Sequence, residues 1–264
     1  MTKTADIRMP LMDYVISPTD MAVTLEAQRV LIMKCVKRFG VKSTYPKAMG
    51  TPPDGINLVV ARRYGVVDMA EAQRYAFDAP PQPDVISDDK GGPGSWNPSA
   101  KEARITQGRG GDGPLPPDKD DQGKPVPAQG CAGEAWDTLT NGHPPDNNAV
   151  LGLFNETAAA ERNDSRLKAA QREWSTCMSA KGYKYSVPSD AGDAASKKPG
   201  PEQQATAIAY VECSQKVNLP GIWNAVDVAY QKVAIAKNEG TLRELRSRRE
   251  ETLNRAKAIV QAGV

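Results

Sequence analysis

The sequence predicts an all-α protein, and three observations carry the prediction. Apolar residues recur at spacings of three and four along most of the apolar segments. These segments open on helix-start signals and close on glycine or asparagine. No stretch alternates apolar and polar residues with the period of two that a half-buried strand requires. The expected protein is helical, with long Pro/Gly-rich loops, two disulfide staples and a long C-terminal helix.

Residues 1–16 hold Met9, Leu11, Tyr14 and Val15 without a clear period and read as an arm packing on the first helix. That helix starts at Ser17-Pro18-Thr19-Asp20, which supplies an N-cap, a proline at N1 and an acid at N3 beside the positive end of the dipole. It runs to about Phe39, with Met21, Leu25, Ile32, Val36 and Phe39 as its inward stripe and Gly40 as the left-handed residue that ends it. Residues 45–60 read as loop. Asp68 and Glu71 have capping-box spacing and predict a short helix over about 69–76.

Between Pro80 and Gly130, 19 of 51 residues are proline or glycine. Such a tract has little apolar surface to offset its ordering, so it is expected to be largely irregular or mobile. A helical turn or two over 99–105 is the exception, and Trp96 reads as an anchor for the tract rather than a ligand platform. The chain thus divides into an N-terminal helical region (1–79), the excursion (80–130), and a C-terminal helical region (131–264).

In that last region, short helices are expected over 131–139, ended by Asn141-Gly142, and over about 147–162 with Val150, Leu151 and Phe154 inward. The next helix carries Leu167, Ala170, Trp174, Cys177 and Met178 on one face. Residues 188–200 read as a small polar linker, and Pro201 at N1 opens a helix that reaches Cys213. Asn218-Leu219-Pro220-Gly221 breaks it. From Ile222 to about Ala262 the stripe Trp223, Val226, Tyr230, Val233, Leu242, Leu245, Leu253, Ala256 and Val260 gives the longest helical reading, with Gly240 as a candidate break.

One phrase occurs twice. Cys35 and Cys177 each begin Cys-x4-Gly-[Val/Tyr]-Lys-x-[Ser/Thr]-[Tyr/Val]-Pro, 142 residues apart (177 minus 35). Each copy reads as a helix end with a cysteine one turn back, and each is followed by one further cysteine, Cys131 and Cys213. Four cysteines so arranged favour two disulfides, although three connectivities exist. Neighbour pairing joins Cys35 to Cys131 and Cys177 to Cys213, the latter between consecutive antiparallel helices. Crossed pairing joins Cys35 to Cys177 across the repeat, and reduced thiols buried as small hydrophobes are the further alternative. Neighbour bridges span 96 and 36 residues and by chain entropy stabilise by roughly 4.5–5 and roughly 4 kcal/mol.

The residues exclude more functions than they suggest. Thirty-four basic and 32 acidic residues give a net charge of +2, which argues against a nucleic-acid binder. No apolar run is long enough to span a bilayer. The cysteines lack zinc-site spacing, and the glycines over 108–113 lack the strand and lysine of a phosphate loop. His143, the only histidine, sits between Gly142 and two prolines, poorly placed for a nucleophile's base. No catalytic residue, cofactor or metal site is expected. Trp136, Trp174 and Trp223 are the candidate ligand-contact aromatics. Met1 to Asp6 lacks the features of a secretory leader. Taken literally the chain stays in the cytoplasm, whereas oxidised cysteines imply an oxidising compartment and a leader removed or missed upstream.

Short motifs add a resemblance. Leu11-Met12-Asp13-Tyr14 with Ser17-Pro18, Cys35-x4-Gly40, Arg62-Arg63-Tyr64-Gly65-Val66-Val67-Asp68 and Gly130-Cys131-Ala132-Gly133-Glu134-Ala135 resemble a family of uncharacterised actinobacterial envelope proteins. Trp174-x2-Cys177-Met178-x3-Gly182-Tyr183, Glu212-Cys213, Trp223 with Tyr230-Gln231, and Asn238 ahead of Leu242 agree. The resemblance implies a secreted or lipid-anchored protein of the cell envelope and no particular activity. The expected function is therefore non-enzymatic binding of a protein partner at the envelope, through the C-terminal helix and the 80–130 excursion. The competing expectations are a cell-wall ligand binder or envelope hydrolase with a groove lined by Trp136, Trp174 or Trp223, and a cytoplasmic scaffold with reduced cysteines.

Overall fold

A computed structural model describes residues 1–3, 6–46, 62–80, 96–108, 119–120, 122–143, 148–198 and 200–263. The expected loop over 45–60 lies outside the described residues except for Tyr45 and Pro46, as do 26 of the 51 residues of the Pro/Gly-rich excursion, Gly110, Gly111 and Gly113 among them. Among those described there are ten α-helices: α1 (Pro18–Lys37), α2 (Met69–Tyr75), α3 (Ala100–Gln107), α4 (Gly130–Thr140), α5 (Asn148–Glu161), α6 (Ser165–Ala180), α7 (Pro188–Ala195), α8 (Gly200–Lys216), α9 (Leu219–Lys237) and α10 (Glu239–Ala262). A 3-10 helix, Pro10–Tyr14, precedes them. The described residues form no strand, only an isolated bridge between Lys119 and Pro125. The all-α expectation holds. No described helix is long and apolar enough to cross a membrane.

The chain divides into two compact units, the first drawn from 1–15, 54–82 and 147–242, the second from 16–53, 83–146 and 243–264. Each unit is thus assembled from non-consecutive segments, and the division at 79 and 130 is one of composition along the chain.

The first unit is built on Trp174. It is fully buried with Leu167, Ala170 and Met178 of its own helix, the stripe read from the sequence, and packs among Val66, Ala72, Ala191 and Val211. Its ring meets that of Tyr210 edge-on at 5.3 Å, and Tyr210 meets Phe77 at 5.5 Å. Gly65 makes this packing possible: its φ is +75°, and a Cβ there would lie 2.1 Å from the Tyr210 hydroxyl oxygen. Asp68 caps α2 by accepting from the amides of Ala70 and Glu71. Asp68→Ala should therefore destabilise this seven-residue helix by about 1 kcal/mol, read as faster amide exchange over 69–75; unchanged exchange would show the cap to be idle.

Four expectations for this unit are corrected. The segment 188–200 is not simply a linker: Pro188 sits in the first turn of α7, which packs on α8, and Ala191 and Ala195, one turn apart, are fully buried. The N-terminal arm, expected to pack on the first helix, packs within the first unit. Ile7 and Met9 pack with Tyr64 and Val67 and against Phe154 and Trp223, and the 3-10 helix lies on α5 and α9. The long reading from 222 breaks at Asn238, not Gly240, because the Asn238 backbone and side chain both bond the Ala234 carbonyl and end α9. Finally, the inward faces of α5 and α9 are only partly the expected ones: Val150 and Val226 are buried as read, but other positions differ. Leu151 and Val233 are each 54 % exposed, while Thr157, Glu161, Asp227 and Gln231 point inward.

In the second unit α1 and α4 pack together, with Ile32, Cys35, Val36 and Phe39 against Ile105, Val126, Cys131 and Ala135. Leu25 of the expected stripe is exposed, and Ala27 and Val30 are buried instead. Ala27 joins Leu139 and Ala256 of α10, with Trp136 and Ile259 at the edge. Arg255 of α10 donates to the Leu139 carbonyl at 2.6 Å, satisfying an acceptor of the last turn of α4. Trp96, the expected anchor, rests edge-on against Tyr45 at 5.1 Å.

Candidate functional site

The duplicated phrase folds the same way twice. In each copy the cysteine lies in the last turn of a helix, α1 or α6, and the glycine takes positive φ, +66° at Gly40 and +89° at Gly182. The chain then leaves without regular structure. Both cysteine pairs are bridged, Cys35 to Cys131 and Cys177 to Cys213, each with a Cα–Cα distance of 5.6 Å. No free cysteine remains, so the crossed and reduced alternatives are set aside. Each unit holds one copy and one bridge. The helix ends are also joined by charge, Arg38 to Glu134 at 2.6 Å and Lys181 to Glu212 at 2.6 Å, exposed pairs that stabilise little.

The two exits are tethered differently. After Gly40, Thr44 donates to Glu102 of α3 through its amide at 2.5 Å and its hydroxyl at 2.7 Å, and Ser43 donates at 3.2 Å. Burial works to raise the Glu102 pKa, but the bonds from Thr44 and Ser43 prevail and hold it below the ordinary carboxylate range. After Gly182, Ser175 reaches the Tyr185 carbonyl at 2.6 Å.

The three candidate tryptophans are dispersed. Trp174 is 0 % exposed and belongs to the core of the first unit. Trp223, in the same unit, is half-buried and donates to Glu161 at 3.1 Å. Trp136 is half-buried at the edge of a cluster in the second unit. The exposed His143 follows the end of α4, its amide bonded to the Thr140 carbonyl. Among the described residues no group of three or more His, Cys, Asp or Glu could hold a metal ion. A shallow open depression of about 100 Å³ lies in the second unit, lined by Leu31, Lys34, Cys35, Arg38, Glu134, Ala135 and Thr138. It is well below the roughly 300–1,000 Å³ of a small-molecule pocket.

The most concentrated chemistry joins α5 and α9 to the segment before α2. Asp227 of α9, wholly buried, accepts from Arg63 at 2.5 and 3.1 Å, from the Tyr64 hydroxyl at 2.8 Å and from Gln231 at 2.8 Å. Arg63 also reaches Glu161 of α5 at 3.3 Å, on the oxygen that Trp223 bonds. The other Glu161 oxygen is buried without a hydrogen-bond partner. Burial, and then the nearby Asp227, push Glu161 up to about 7, against the pull of Trp223 and Arg63. Burial, and then Asp227, likewise keep the Tyr64 phenol well above its ordinary range. One signal for this cluster was present: Asp227 and Gln231, four residues apart, interrupt the stripe that Trp223, Val226 and Tyr230 define.

No family model matches the sequence, and no curated protein and no solved structure is similar to it.

Proposed function

We propose that the chain is a non-enzymatic, extracytoplasmic helical protein that binds a protein partner at the cell envelope. The observation that carries this reading is the bridging of all four cysteines, one long-range disulfide in each unit. Such bridges persist in oxidising compartments and are rare where thiols are kept reduced. The resemblance to actinobacterial envelope proteins points to the same place. A binding role is supported by how the buried polar groups are used: Asp227 spends its oxygens on Arg63, Tyr64 and Gln231, which leaves it no part in attacking a substrate. The partner surface in this reading is α10, whose exposed residues include Arg246, Arg248, Glu250 and Lys257. Its interspersed charges suit orienting a protein more than holding a polyanion.

The test is site-specific photo-crosslinking in the native cell. Probes at Arg248, Glu250 and Lys257 on α10 should each give the same discrete protein adduct, and probes at the exposed Lys168 and Arg172 of α6 should give none. Thiol labelling of the same cells should find no reactive cysteine. Absence of any α10 adduct would overturn the binding reading, and four labelled cysteines would place the chain with cytoplasmic scaffolds.

A further inference from the structure

The buried cluster of the first unit sets two carboxylates against one guanidinium, so with both acids ionised it lacks one positive charge. The partnerless Glu161 oxygen is a position that a proton completes, since a protonated carboxyl becomes a donor and Asp227 lies within its hydrogen-bonding reach. Burying an ionised carboxylate with one oxygen unsolvated is costly, and a proton removes that cost.

The same cluster holds the N-terminal arm. The Leu11 amide donates at 3.0 Å to Gln231, whose own amide donates to Asp227. Asn224 donates to the Arg8 carbonyl at 2.8 Å and to the Tyr64 hydroxyl at 3.1 Å, and that hydroxyl donates to Asp227. Ile7 and Met9 of the arm pack in one cluster with Tyr64. The arm has no regular structure beyond one short 3-10 helix, so its seat rests on these side-chain bonds and on the burial of Ile7, Met9 and Leu11.

We propose that a single proton shared by Glu161 and Asp227 keeps residues 6–15 seated on the first unit, and that its loss unseats them. The charged groups around Glu161 are Asp227 from α9 and Arg63 from the segment before α2, with Tyr64, Trp223 and Gln231 as neutral donors in the network. The arm brings Arg8 and Asp13. Exposed Arg162 and the largely covered Asp164, which pairs with Arg166, follow Glu161 in the chain. The seated state holds the proton up to about pH 7 while a solvated glutamate releases it near 4.5. Seating is therefore strongest below about 4.5, weakens as pH rises through about 7, and is level above that.

Amide exchange of the full chain tests this, expressed as protection factors so that the intrinsic pH dependence cancels. Between pH 5 and pH 7 the protection of Leu11, Met12 and Val15 should fall on the order of tens of fold, while Trp174 and Leu167 of the core hold theirs. In Glu161→Gln, a neutral isostere, arm protection should be independent of pH over this range. Flat protection in the wild-type chain, or the wild-type profile retained in the variant, overturns the proposal. Should the variant not fold, the carboxyl carbon resonance of Glu161 in the wild-type chain decides: a midpoint near 7 supports the latch, and one near 4.5 overturns it.

Discussion

Replacing Cys35 and Cys131 together by alanine should lower the stability of the second unit by about 4.7 kcal/mol, the chain-entropy value for a loop of this length. The bridge closes 96 residues, among them the tract rich in proline and glycine. Both sulfurs lie in the core formed by Ile32, Val36, Phe39 and Ile105, so cutting the bridge also loosens the contact of α1 with α4. The companion change at Cys177 and Cys213 opens only 36 residues and should cost about 3.8 kcal/mol, against a core that already has Trp174 and Tyr210. Because the two units need not unfold together, denaturant titrations should be followed by amide exchange in α4 and in α6 separately. The expected ordering is a larger loss in α4 for the first pair than in α6 for the second. A loss below about 1 kcal/mol for either pair would mean that packing alone holds those helices.

Asp227→Ala should cost about 3–5 kcal/mol, the range for removing one partner of a buried ion pair. The change leaves Arg63, Tyr64 and Gln231 directed at a cavity, with Glu161 as the remaining anion beside Arg63. The loss comes mainly from the stranded donors rather than from the missing attraction. Replacing Arg63 and Asp227 together by methionine and leucine should therefore recover some of it. Urea unfolding read at α9 checks both results. A cost for the single variant under about 1 kcal/mol would show that water already satisfies the cluster.

The helices were legible because their ends are written in local chemistry. Ser17-Pro18, Asp68, Asn141-Gly142 and Asn218 act on residues within a turn of themselves, and each stands where an end was expected. The cysteine pairing was legible for a related reason, since equivalent positions in a repeated helix end seek equivalent partners. What was not legible depends on contacts distant in sequence. α7 seats Ala191 in a cluster with Val66, Ala72 and Trp174, residues distant in the chain, and nothing within Pro188–Gly200 announces that surface. Leu25, Leu151 and Val233 look inward-facing by periodicity and are exposed, because neighbouring positions on the same helices found closer partners. The Arg63–Asp227–Glu161 cluster was hardest to see. Its members lie up to 164 residues apart, and a charge run or an acid within an apolar stripe reads locally as a solvated face.

Two staples, one in each unit, hold the molecule together, and peptide mapping of the unreduced protein after thiol alkylation tests them most directly. The prediction is one linked peptide pair joining Cys35 to Cys131, another joining Cys177 to Cys213, and no alkylated cysteine. A link between Cys35 and Cys177, or alkylation of all four cysteines, would contradict it.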